Sequence, residues 1–140
     1  MGSILIAKKV PPYGGDTEFS NQYAAYDALS DGLKKTLQTL RGVSTSAKAD
    51  ASKTREDRIK DTGTAVKEDH VVSHPAVRTH PETGRKALYV NVAHTERFDG
   101  WSESESTPLL QYLFKHQIKP EFTCRFRWEK DSIAFWDNRW

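Results

Sequence analysis

A mixed α+β domain, mainly β and built around a sheet, is the fold class that this 140-residue sequence predicts. Three observations carry it. Strand-like stretches stand at both ends of the chain, from Gly2 to Val10 and from Phe122 to Trp136. A third, Ala87 to Val92, lies between them, and two segments with leucines at helical spacing are inserted among the strands. The length fits one domain able to bury a core, and with apolar residues at 36% that core must be concentrated in a few elements.

"GSILIAKKV", Gly2 to Val10, is β-branched and apolar and is broken by Pro11-Pro12 and Gly14-Gly15, which predicts a buried strand closed by a turn. From Ser20 the pattern turns helical, with Ser20 as N-cap and Tyr23 and Tyr26 on one face. Ser30 or Asp31 caps a second helix in which Leu33, Leu37 and Leu40 face the core, and Gly42 suits its C-terminal side. Ser44 to His70 carries twelve charged residues and only Ile59 and Val66 as large aliphatics, so it buries little surface. It reads as a polar, solvated loop or, alternatively, as a lid that orders over a ligand.

Order returns at "HPAVRTHPETGRKALYVNV", where Pro75 and Pro81 impose extended geometry and Glu82 to Arg85 makes a turn into the strand Ala87 to Val92. The helix bearing Leu109, Leu110, Leu113 and Phe114 begins either at a Ser102/Glu105 capping box or at Pro108 after Thr107. Phe122, Cys124, Phe126 and Trp128 then alternate with polar residues. Glu129 to Ser132 turns the chain, and Ile133 to Trp136 is expected to return as the partner strand of a hairpin.

With 21 basic and 19 acidic residues the charge is too balanced to indicate nucleic acid or an anionic membrane, and no apolar run approaches the ~20 residues of a bilayer span. Cys124 is the single cysteine, so no internal disulfide forms, a reducing cytoplasmic setting is expected, and its alternation with Phe122 and Phe126 predicts a buried, inert thiol. His74 and His80 each precede a proline at a spacing that matches no helical ligand pair. His94-Thr95-Glu96 could open a facial triad for non-haem Fe(II), but its only later histidine, His116, falls inside a predicted helix, which weighs against that site. Gly14-Gly15-Asp16-Thr17 lacks the lysine of a phosphate loop, and no nucleophile stands in a catalytic signature.

Three segments in this order, "GSILIAKKVPPYGGDTEFSNQYAAYDALS", "HPAVRTHPETGRKALYVN" and "PEFTCRFRWEKDSIAFWDNR", resemble the taurine dioxygenase (TauD/TfdA) family. The resemblance implies a double-stranded β-helix (jelly roll), partial in this chain, with helices packed outside. It implies Fe(II) and 2-oxoglutarate as cofactors, and the hydroxylation by O2 of a small organic acid such as taurine or another alkylsulfonate. Thr17 matches the family threonine whose hydroxyl bonds a 2-oxoglutarate carboxylate, and Asn91 and His94 match positions lining the co-substrate pocket. The family's H-x-D iron ligands would fall upstream of Met1. Its last histidine, in W-D-N-R-x-x-Q-H, and the arginine that clamps 2-oxoglutarate would fall beyond Trp140. On this basis the chain holds none of the metal ligands, residues 1–140 form an incomplete dioxygenase domain, and the isolated polypeptide is expected to be inactive. A non-catalytic interaction or binding module is the alternative, its open strand edges favouring a homo-oligomer or another chain. A split enzyme completed by a second polypeptide is the third reading.

Overall fold

The computed structural model describes residues 2–45 and 71–137. In chain order these form β1 (Gly2–Ile6), β2 (Thr17–Ser20), α1 (Gln22–Asp27), α2 (Asp31–Thr39), β3 (Arg41–Thr45), β4 (Val71–Pro75), β5 (Val77–Thr79) and β6 (Lys86–Leu88). There follow β7 (Thr95–Phe98), α3 (Glu103–His116), a 3-10 turn (Pro120–Phe122), β8 (Thr123–Phe126) and β9 (Ile133–Asp137). The strands pair as β1-β9, β2-β8, β4-β3-β7 and β5-β6, antiparallel throughout. The result is the expected sheet-led fold with a few helices, and no barrel closes among the described residues.

Two ladders bring the ends of the chain together. Gly2 to Ile6 pair with Asp137 to Ile133, and the Ala7 N–H to Ser132 carbonyl and Asp131 N–H to Ala7 carbonyl bonds extend the pairing by a turn. Thr17 to Ser20 pair with Phe126 to Thr123. β8 and β9 are therefore not the hairpin that their alternation suggested: the turn between them carries the chain from one sheet to the other. Period two tells which residues share a face and is silent about which strand lies alongside.

β1 is likewise not buried. Opposed residues of an antiparallel pair share a face, and Ile4 opposite Phe135 and Ile6 opposite Ile133 form an exposed apolar surface, with Ile4 at 65% and Phe135 at 72% exposure. Cys124, opposite Phe19 on β2, is also exposed rather than buried, because that inner face is only partly covered.

The core sits between the helices and the middle strands: Ala25, Tyr26 and Leu29, then Leu37 and Leu40, pack with Val77, Leu88, Val90, Phe98, Leu110 and Leu113. Leu33 packs against its margin, as its spacing implied. The cap of α1 is Asn21, whose Oδ1 accepts the Tyr23 and Ala24 N–H groups at 3.1 Å; Ser20 ends β2 instead. Ser30 caps α2 through the Leu33 N–H, and the helix closes on an extended Leu40 without a glycine. Gly42 lies in β3, where a β-carbon would come within 3.0 Å of Thr95 Cγ2, so its small size serves strand packing. Ser44 and Thr45, expected in the polar loop, are strand residues paired with Val72 and Val71. The rest of that loop or lid, and Asn138, Arg139 and Trp140, lie outside the described residues.

The strand expected over Ala87 to Val92 stops at Leu88, since the Tyr89 N–H turns to the Ala76 carbonyl and Asn91 opens a turn. α3 starts at Ser102, with the full capping box and Pro108 in the helix interior. Ser102 and Glu105 exchange both bonds, which outweighs the proline's fit at a first helical position. Among the described residues no helix is long and apolar enough to cross a membrane.

The buried Ser106 Oγ accepts the Phe98 N–H at 2.9 Å, tying α3 to β7. Ser106→Ala leaves that amide without its partner and is expected to lower urea-unfolding stability by about 1–3 kcal/mol; Phe98→Ala, which empties a fully buried site, should cost about 3–5 kcal/mol. Hydrogen bonds from the Ser102 side chain and backbone hold the Glu105 pKa below its ordinary 4.5. A depressed carboxylate stabilises the fold above its unfolded-state pKa and loses that contribution as pH falls through the folded value. Glu105→Gln keeps a capping acceptor without the charge, so melting curves from pH 6 downward, a range of about three units, should show a shallower acid decline than the wild type.

Candidate functional site

The residues singled out for co-substrate contact meet in one cavity of about 640 Å3, lined among others by Ser20, Gln22, His74, Asn91, His94 and Gln117. Six segments converge there: the end of β2, the first turn of α1, β3, β4, the loop between β6 and β7, and the C-terminal end of α3. The loop is built by Asn91. Its Oδ1 accepts the Ala93 N–H at 2.7 Å, its carbonyl accepts from His94 and Thr95, and its own N–H bonds Thr95 Oγ1 at 2.9 Å. Thr95 is buried, so the turn is anchored from below. This Asx turn commits the Asn91 side-chain oxygen to the backbone. The His94 carbonyl is tied to the Thr45 N–H at 3.1 Å while its exposed side chain remains at the cavity wall. His74 packs edge-on to Tyr89 at 5.6 Å between ring centroids, and the Arg78 guanidinium lies 4.6 Å from the same ring centre.

The opposite wall is hydrogen-bonded across three elements. Gln22 Nε2 donates to Ser20 Oγ at 3.0 Å, and Ser20 Oγ donates to the Gln117 carbonyl. One residue earlier, the buried His116 donates from Nε2 to the Ala25 carbonyl at 2.7 Å and is flanked by Tyr112 and Phe122. His116 is thus a core clamp between α3 and α1. The trio His94, Glu96 and His116 does not assemble, and among the described residues no three His, Cys, Asp or Glu side chains are grouped to hold a metal ion.

Thr17 lies apart from Asn91 and His94, on the inner face of β2 opposite Phe126, about 10 Å along the strand from Ser20. Its Oγ1 accepts the Trp128 indole N–H at 2.9 Å. Indole nitrogen only donates, so the hydroxyl proton of Thr17 stays available for an acceptor. Trp128 packs edge-on against Phe126 at 4.8 Å, and Phe19, two residues after Thr17, meets Trp136 at 5.4 Å, so an aromatic wall spans the gap between the β2-β8 and β1-β9 sheets. Gly14 and Gly15, at φ of 75° and 79°, make the turn that delivers Thr17 to β2, and Asp16 is fixed by Arg125 Nε at 2.7 Å. Trp128 and Gln22 were not singled out from the sequence. Trp128 had a signal, since it continues the face of Cys124 and Phe126; Gln22 had none.

Across residues 1–140 the chain matches the model of the taurine catabolism dioxygenase TauD, TfdA family. It is 39% identical over 140 residues to an alpha-ketoglutarate-dependent 2,4-dichlorophenoxyacetate dioxygenase of Cupriavidus pinatubonensis, covering 98% of this chain and 46% of that protein. An alpha-ketoglutarate-dependent sulfate ester dioxygenase of Pseudomonas putida is 34% identical over 143 residues, covering 98% and 46% respectively. The crystal structure of a taurine dioxygenase from Burkholderia xenovorans superposes with a TM-score of 0.76 at 38% identity, over 99% of this chain and 42% of that one. The chain spans from a third to just under half the length of these and other curated relatives. Matched along its whole length by sequence, and by fold to solved members, the chain belongs to the TauD/TfdA family of dioxygenases.

Proposed function

We propose that residues 1–140 form part of an Fe(II)- and 2-oxoglutarate-dependent dioxygenase domain that hydroxylates a small organic acid, taurine or another alkylsulfonate among the candidates. The observation that carries the reading is Thr17. Its hydroxyl is oriented by Trp128 on the inner face of the sheet pair, with a proton left to donate to one carboxylate oxygen of 2-oxoglutarate. When bound, Fe(II) and 2-oxoglutarate would supply the activation of O2 for attack on a C–H bond. The share that the described residues take in this reading is binding and orientation. Thr17 and Trp128 would position 2-oxoglutarate. His94, with the Asn91 turn that holds it, would face the co-substrate, and the aromatic wall of Phe19, Phe126 and Trp136 would limit water between the sheets. The lone cysteine is compatible with a cytoplasmic setting.

An exposed apolar face on β1-β9 favours a second reading, an interaction module that associates with a further copy or another chain.

Two measurements test the first reading. Thr17→Val keeps the shape and removes the hydroxyl, so the 2-oxoglutarate Kd of the protein complete with the rest of its domain should rise roughly fivefold to tenfold, while Thr17→Ser should stay close to wild type. Equal Kd for Val and Ser variants would remove Thr17 from the site. Anaerobic addition of Fe(II) and 2-oxoglutarate to the 140-residue chain should give no metal-to-ligand charge-transfer band. A band would show that the chain holds the metal by itself.

A further inference from the structure

The cavity that Asn91 and His94 line contains a second imidazole, and its direction follows from the ladder it sits in. Residues directly opposite in an antiparallel pair project to the same face. His74 on β4 stands opposite Gly42 on β3, and Ser44, two residues along β3, stands opposite Thr95 on β7. The β-carbon position of Gly42 points at Thr95 Cγ2, 3.0 Å away. His74, Ser44 and Thr95 therefore share one face, and all three line the cavity. Gly42 has no side chain to cover the imidazole from the neighbouring strand.

The ring of His74 is also held in place. It is half-buried and meets Tyr89 at 88° between ring planes, and the Arg78 guanidinium sits over the same Tyr89 ring. Ser20, Asn91 and Thr95 use their side chains to bind the cavity wall together, whereas the His74 imidazole makes no hydrogen bond among the described residues. In either protonation state an imidazole keeps at least one N–H to donate, and an ionised acid oxygen only accepts. A hydrogen bond to such an oxygen is roughly twice as strong as one between neutral groups. The Arg78 charge beside Tyr89 favours an anion at this end of the cavity and disfavours a cation. We propose that His74 is a specificity-determining residue whose imidazole N–H donates to an acid oxygen, sulfonate or carboxylate, of the organic acid entering this cavity. β4 and β7 lie on opposite sides of β3, about 10 Å apart, and His94 directly precedes β7. An acid group at His74 thus leaves His94 for the remainder of the molecule. The proposal deepens, and rests on, the assignment of the cavity to the co-substrate.

The test uses the 15N-labelled 140-residue chain and three probes: propane-1-sulfonate, methyl propyl sulfone, in which a methyl replaces one acid oxygen and the charge is lost, and propylammonium. The sulfonate should bind roughly tenfold tighter than the sulfone and should move the ring 15N resonances of His74. His74→Phe keeps a ring against Tyr89 without an N–H and should bring the ratio close to one, with sulfone binding unchanged. His74→Gln restores a donor, should retain part of the preference, and serves if the phenylalanine variant does not fold. An undiminished preference in His74→Phe, or its loss in His94→Phe instead, overturns the proposal and leaves the cavity assignment intact. Equal binding of sulfonate and sulfone by the wild type, or a preference for propylammonium, overturns the anion choice. If no probe moves the Asn91 or His94 resonances, both the proposal and the assignment beneath it fall.

Discussion

Pairing across the length of the chain is the constraint on which the rest depends. β1 finds β9 and β2 finds β8, each across more than a hundred residues of intervening sequence. Only with these ladders formed does β2 have Trp128 and Trp136 to meet, through Thr17 and Phe19. A one-residue slip in the β2-β8 register would turn Thr17 and Phe19 outward and bring Glu18 inward. The position of a single hydroxyl is thus an outcome of global topology, because nothing local to the Gly14-Gly15 turn determines which strand will lie beside it.

The helices contribute a second, more local kind of order. α1 and α2 pack on the strands after the polar stretch, and α3 spans the back, joined to β7 by the Ser106–Phe98 bond and to α1 by His116. The last turn of α3 does double duty: it closes the core through His116 and, one residue on, offers the Gln117 carbonyl to Ser20 at the cavity. Core stability and cavity polarity therefore share one helix end. A change there acts on both.

Legibility in the sequence followed this division. Local features came through: the glycine turn before Thr17 and the leucines of the core, with Ser30 for α2 and the Ser102/Glu105 box for α3 each present as one of two options. Partner choice did not. The alternation from Phe122 to Trp128 identified a face, but assigned β9 to the wrong neighbour and Cys124 to the wrong environment. Apolar content alone made β1 seem buried, because exposure depends on what covers a sheet and not on the strand itself. The gathering of Asn91 and His94 around one cavity was legible only through family likeness. The Gln22–Ser20–Gln117 chain of hydrogen bonds could not be found that way at all, because it is a property of the folded network.

The same long-range pairing has a consequence in time. During synthesis β1 and β2 leave the ribosome ahead of β9 and β8, which follow more than a hundred residues later. At typical elongation rates that interval is on the order of 5–20 seconds. For that period "SILI" is an apolar strand without its β9 partner. Lys8 and Lys9 directly after it, followed by Pro11-Pro12, place charge and a β-breaker at its border, the kind of flank that discourages premature pairing with another nascent chain. The basic dipeptide and the double proline, unremarkable in the finished fold, then act as guards of a strand that must wait.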